Sequence, residues 1–144
     1  MAQRKVWVFF YGSYINLDVL REAGLVPEIV EIGRLAGFDL IISPRANLVR
    51  SDQHAVYGIL TQATHRELER LYTEHAQGKL GQLYEPEAVV VEVVAGYLKA
   101  AMTYNCSEMK PGTVETAYVD RIYKPAKALG FPEWYLLKIA SFYP

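Results

Sequence analysis

Cysteine, histidine, clustered positive charge and long apolar runs are all scarce in this sequence. One cysteine in 144 residues, Cys106, leaves no partner for an internal disulfide and fits a reducing compartment such as the cytoplasm. With no basic residue near it in sequence, Cys106 reads as a small apolar filler near a strand end rather than a nucleophile. The histidines His54, His65 and His75 are scattered, with no second ligand at metal-binding spacing, so neither a metal nor any other cofactor is expected. Fifteen Lys and Arg against sixteen Asp and Glu give a net charge of −1 without a basic stripe, which argues against a nucleic-acid partner. The most apolar stretch, Ala88 to Leu98, is interrupted by Glu92 and Gly96 and is too short to span a bilayer. Arg4-Lys5 followed by Val6 to Phe10 stops at Gly12-Ser13 without a small-x-small site, so it does not read as a signal peptide. A soluble, cytoplasmic chain with no membrane partner is expected.

What is present is a chain that is 51% hydrophobic, enough for one compact domain spanning 1–144. Its most informative stretch is Phe9-Phe10-Tyr11-Gly12-Ser13-Tyr14-Ile15. The apolar β-type run Val6 to Phe10 ends in a Gly-Ser turn, and a helix-compatible segment, Asn16 to Ala23, follows with Gly24 as its stop. Strand, tight turn and helix start together expose backbone N–H groups, an arrangement that suits a carboxylate as well as a phosphate. One glycine, no following lysine and no second βα unit exclude a P-loop or dinucleotide fingerprint. Ser13 has no flanking nucleophile-elbow motif.

Ile29 to Ile32 and Leu35 to Ile42 read as extended, with Gly33 and Gly37 marking bends or bulges, and Ser43 to Asn47 reads as a turn. Val56 to Leu60 is a further strand. Thr64-His65-Arg66-Glu67 matches a capping box and opens a helix carrying Leu68, Leu71 and Tyr72, ending near Gln77-Gly78. Ala88 to Val94 and Tyr97 to Tyr104 form a hairpin about Ala95-Gly96. Val114, Ala117, Tyr118 and Ile122 share a helical face until Pro125, where a kink or restart is expected. Gly130 closes that helix, and Pro132 opens a last one with Trp134, Leu137, Ile139 and Ala140. Strands early and helices late predict an α+β class: a small mixed, mainly antiparallel β-barrel with flanking helices.

These segments resemble the γ-glutamylcyclotransferase family, which includes plant avirulence-induced-gene proteins and an antibiotic-biosynthesis deacylase. The resemblance covers nearly the whole length. Tyr11-Gly12-Ser13-Tyr14-Ile15 stands where the family has Tyr-Gly-Ser-Asn-Leu, and Val56-Tyr57-Gly58-Ile59-Leu60 matches its midchain Val-x-Gly segment. Tyr118, Ile122 and Ala126-Lys127-Ala128-Leu129-Gly130-Phe131-Pro132-Glu133-Trp134-Tyr135 match its C-terminal pattern. The resemblance implies a first turn that holds a γ-glutamyl carboxylate on its amides, with Tyr84, Tyr104 and Tyr118 completing a pocket. It also implies intramolecular acyl transfer. A carboxylate takes a proton from the substrate's α-amine, the amine attacks the γ-carbonyl, and 5-oxoproline forms as the other amine leaves. Such a ring closure needs mainly positioning, one base and amides near the developing oxyanion.

The chain departs from the pattern twice. Tyr14 replaces an asparagine, and a phenol cannot copy an amide's paired donor and acceptor. The family's catalytic glutamate precedes a glycine; counting back from Tyr84 without gaps lands on Gln77-Gly78, whereas counting forward from Leu71 reaches Glu74-His75. Glu74 is then the catalytic base, with His75 a second candidate. If Gln77 holds the position instead, the expectation is a catalytically inactive pocket that binds a small amino acid or carboxylate. The expected partner is in either case a small molecule, and no oligomeric state is implied.

Overall fold

The computed structural model describes residues 4–77 and 83–144, with the side chains of all of these except 76 and 77. Strand β1 (Lys5–Phe10) leads into a one-turn 3-10 helix (Ser13–Ile15) and helix α1 (Leu17–Glu22). Strands β2 (Glu31–Ile42) and β3 (Ala46–Thr64) form a long hairpin. Helix α2 (His65–Glu69) continues as a π-helical stretch, Arg70–Gln77. Strands β4 (Glu85–Val93) and β5 (Tyr97–Asn105) make a second hairpin, and helices α3 (Thr116–Ala128) and α4 (Glu133–Ala140) follow. The sheet order is β1-β3-β2-β4-β5 and closes on itself, with β5 parallel to β1 where Met102 lies opposite Val8. The other pairings are antiparallel. No helix among the described residues is long and apolar enough to cross a membrane.

The phase of β2 explains one of its glycines. Gly33 and Leu35 point inward, and so do Phe38, Leu40 and Ile42, which lie on the opposite parity of a period-two strand. Gly37 absorbs the switch. Its φ is +89°, and the register passes from Ala36 opposite Ala55 to Phe38 opposite Arg50. Gly33 makes no bend; it stays in register, facing Gly58. The strand expected at Val56 to Leu60 is part of a much longer one, which pairs β2 along most of its length and β1 toward its C-terminal end.

Gly58 is dictated by contact rather than by conformation. A Cβ there would lie 2.1 Å from the carbonyl oxygen of Phe10 and 2.8 Å from the Phe9 ring. Strand β1 thus settles onto β3 only over a residue without a side chain. This contact fixes the height at which β1 ends and the Tyr11 turn begins.

Thr64 caps α2 as expected: its hydroxyl accepts the Glu67 N–H at 3.1 Å, and the Glu67 carboxylate accepts the Thr64 N–H at 2.8 Å. Pro125 produces no restart. Helix α3 runs through it; the N–H that proline lacks would have faced the carbonyl of Arg121, a residue on the exposed side of the helix. Tyr118, Val119, Ile122 and Ala126 bury the inner face of α3. Helix α4 packs Tyr135 against Tyr57 and Phe131, with ring centroids 5.4 and 5.9 Å apart, while Trp134 remains half-exposed.

Candidate active site

The turn after β1 is shaped by three local requirements. Tyr11 is buried and its hydroxyl donates to the Tyr104 carbonyl at 2.6 Å, tying the strand end to β5. Gly12 lies so close to β3 that a Cβ would stand 2.9 Å from that of Ala46. The 3-10 turn then closes through the Ile15 N–H on the Gly12 carbonyl, and Asn16 caps α1 by accepting from Asp18 and Val19. Among the described residues, the amides of Gly12, Ser13 and Tyr14 donate to no backbone or side-chain acceptor. The turn therefore keeps free N–H groups, whereas the helix after it has its own cap.

These amides border a cavity of about 30 Å³ lined by Phe10, Tyr11, Gly12, Ser13, Tyr14, Ala46, Tyr72, Tyr84, Tyr104 and Tyr118. Six of the chain's eleven tyrosines meet there. Tyr72 stacks on Tyr104 with centroids 3.9 Å apart and planes 13° from parallel, and Tyr14 stands edge-on to Phe10 and Tyr72. Hydroxyls and backbone hold the rim together. Tyr84 donates to the Ala46 carbonyl at 2.5 Å, and the Ala46 N–H donates to the Tyr118 oxygen at 2.9 Å.

Burial pushes the phenols of Tyr11, Tyr14, Tyr72, Tyr84 and Tyr104 above their ordinary value. For Tyr118 burial also wins, against the opposing pull of the Ala46 amide, Arg45, the Ser13 hydroxyl and Arg121. The lining is thus a ring of neutral donors and acceptors, and it contains no carboxylate, amine or imidazole among the described residues. Arg45 and His75 are among the ionisable groups just behind it. Arg45 sets its guanidinium over the Tyr118 ring, 4.7 Å from the centroid. His75 brings Nδ1 to 2.8 Å from the Tyr14 oxygen, which also stands 2.6 Å from the Leu71 carbonyl. With its one proton on Leu71, Tyr14 accepts from a protonated Nδ1. No group of His, Cys, Asp and Glu able to hold a metal occurs among the described residues.

Of the residues singled out from sequence, Tyr11, Gly12, Ser13, Tyr14, Tyr84, Tyr104 and Tyr118 line this one cavity. Ile15 is instead fully buried in the core. Glu74 is exposed and is not among the lining residues: Leu71 and Tyr72 take the inner side of this stretch, leaving Thr73 and Glu74 outward and His75 half-buried. The Gln77 side chain lies outside the described residues. Phe10, Ala46, Tyr72 and Arg45 were not foreseen. Tyr72 carried a signal, its helical spacing with Leu68, but that signal marks any buried face.

A closed five-stranded sheet with helices α1 to α4 around it, and a cavity beside the turn after β1, defines the γ-glutamylcyclotransferase-like fold, and this chain has it. A solved γ-glutamyl cyclotransferase matches at a TM-score of 0.82 and 19% identity, over 98% of this chain and 89% of its own. An uncharacterized protein from Homo sapiens matches at 0.81 and 18%, over 99% and 90%. A yeast γ-glutamyl cyclotransferase specific to glutathione matches at 0.65 and 9%, over 96% and 97%. At these identities the likeness is one of fold. No protein-family model matches the sequence, and no curated protein does.

Proposed function

We propose that the cavity holds the γ-glutamyl group, or another small amino-acid carboxylate, with that carboxylate on the amides of Gly12, Ser13 and Tyr14. The observation that carries this reading is the set of undonated N–H groups at the wall of a phenol-lined cavity. The fold shared with solved γ-glutamyl cyclotransferases, on what we read as a small β-barrel, supports it. At about 30 Å³ the cavity has room for roughly two water molecules, so a glutamyl-sized ligand needs the lining to move or extends beyond it. The lone cysteine suits a cytoplasmic setting. Calorimetry with L-glutamate, 5-oxoproline and a panel of γ-glutamyl amides tests the reading. Saturable binding that is lost in Gly12→Ala is expected, and an absence of binding across the panel sinks it.

A second reading, intramolecular acyl transfer releasing 5-oxoproline, is favoured by the contact between Tyr14 and His75. It places an imidazole one hydroxyl behind the cavity wall. In the tautomer that carries its proton on Nε2, the Tyr14 hydroxyl turns from the Leu71 carbonyl to donate to Nδ1, and a proton leaving the substrate α-amine passes to the Tyr14 oxygen as the Tyr14 proton passes to Nδ1. The return path protonates the departing amine. Glu74 is the alternative base and needs its stretch of helix to turn inward. An assay of 5-oxoproline from γ-glutamyl amides separates the two: His75→Gln and Tyr14→Phe abolish turnover through the relay, and Glu74→Gln abolishes it through the carboxylate. A wild-type protein that binds the amides and releases no 5-oxoproline removes this second reading and leaves the first.

A further inference from the structure

Arg45 stands out because, among the described residues, its guanidinium meets the Tyr118 ring but no carboxylate. Its Nε is buried without a hydrogen-bond partner, and it makes no ion pair among the described residues. Buried polar donors are ordinarily satisfied, and an orphan guanidinium N–H is costly to keep. The position is built rather than incidental. Arg45 closes the β2–β3 turn, its carbonyl accepting the Ser43 N–H at 3.2 Å, and the next residues pin that turn to the cavity. Ala46 bonds both Tyr118 and Tyr84, while the Asn47 amide exchanges hydrogen bonds with the backbone of Cys106. The guanidinium stays on the Tyr118 ring at 4.7 Å, on the side chain whose hydroxyl lies 3.8 Å from where a Gly12 Cβ would stand.

The groups gathered at this end of the cavity share one sign. The Gly12, Ser13 and Tyr14 amides are free donors. Around the Tyr118 oxygen, the Ala46 amide, Arg45, the Ser13 hydroxyl and Arg121 all favour negative charge, while burial opposes it and leaves the phenol above its ordinary value. A region that stabilises an anion and contains none is complementary to an anionic ligand. Guanidinium takes a carboxylate side-on through Nε and a neighbouring Nη, a planar match that a lysine lacks.

We propose that Arg45 is the specificity residue of this cavity, selecting ligands that carry a carboxylate at the Ser13–Tyr118 end over neutral isosteres. The proposal rests on the small-carboxylate reading given above and names the residue that enforces it. Arg45 stands behind the Tyr118 ring, outside the cavity lining, so it acts on a ligand whose carboxylate extends past the Tyr118 hydroxyl to the guanidinium, rather than by supporting Tyr118.

The test is a cycle of two ligands and two proteins. A γ-glutamyl amide and its α-carboxamide analogue are titrated calorimetrically into the wild-type chain and into Arg45→Gln, with a urea melt of each protein alone. A charged hydrogen bond of this kind corresponds to about 10- to 100-fold in affinity. The wild type is expected to prefer the carboxylate by that factor, and Arg45→Gln to lose the preference while binding the carboxamide as before. Arg45→Lys, which keeps the charge and loses the fork, is expected to fall between them; it carries the same comparison if Arg45→Gln does not fold. Equal weakening of both ligands would assign Arg45 to packing and overturn the proposal. A preference that survives in Arg45→Gln would also overturn it, leaving the carboxylate to the turn amides and the pocket reading intact. Failure of both ligands to bind the wild type would overturn the proposal and the pocket reading together.

Discussion

Replacing Gly58 by alanine adds one methyl group at the point where β3 supports the end of β1. The added carbon would stand 2.1 Å from the Phe10 carbonyl oxygen, 3.0 Å from the Phe10 carbonyl carbon and 2.8 Å from the Phe9 ring. Two of these atoms are backbone of a strand paired along its length, so relief requires β1 to move rather than a side chain to rotate. Overpacking in a core costs typically about 1–3 kcal/mol, and a rigid obstacle puts this case at the top of that range or beyond. For a chain of this size, about 3 kcal/mol corresponds to a fall of roughly 10 °C in melting temperature. Because Phe10 immediately precedes the Tyr11 turn, binding of a cavity ligand is expected to weaken in the same variant. Urea unfolding of Gly58→Ala is the assay, with Gly96→Ala as reference. At Gly96 the φ of +111° strains any side chain, but nothing lies within 4 Å, and a cost of about 1–2 kcal/mol is expected. A Gly58→Ala protein no less stable than Gly96→Ala would refute the steric reasoning.

Three further outcomes are expected. Tyr14→Phe removes the hydroxyl shared by Leu71 and His75 and should cost about 1–2 kcal/mol in urea unfolding, with far-UV dichroism unchanged. Thr64→Ala deletes the capping hydroxyl of α2 and should cost about 1 kcal/mol by the same measurement, whereas Thr64→Ser should be nearly neutral. The cavity phenols titrate above their unfolded value, so the unfolded chain releases their protons first as pH rises. The stability they contribute is full below about pH 10 and declines above it. Absorbance at the phenolate band should therefore show these tyrosines ionising only as the protein unfolds. Smooth ionisation in a chain that stays folded would contradict their burial.

Readings that depend on neighbours in sequence were legible without the fold. The capping box at Thr64 and Glu67, the hairpin about Gly96 and the bulge at Gly37 each follow from residues a few positions apart, where local backbone chemistry decides the outcome. At Pro125, where a kink or a restart was expected, the helix does not restart, because whether it tolerates a lost hydrogen bond depends on which side faces water. Glu74 shows a related limit. Adjacent residues on one helix differ in direction, and only its placement against the sheet puts Tyr72 at the cavity and Glu74 in solvent.

By itself the sequence determined that strand, glycine turn and capped helix meet at Tyr11 to Asn16, and that tyrosine is plentiful. It determined this through short-range sterics and hydrogen bonding, which are encoded in consecutive residues. Only the tertiary structure decided that four further tyrosines join Tyr11 and Tyr14 at the turn, from β5, α3, the π-helical stretch and the approach to β4, and that Arg45 stands behind Tyr118 with no ion pair among the described residues. Convergence of that kind is set by sheet closure between residues far apart in sequence, and no local pattern records it.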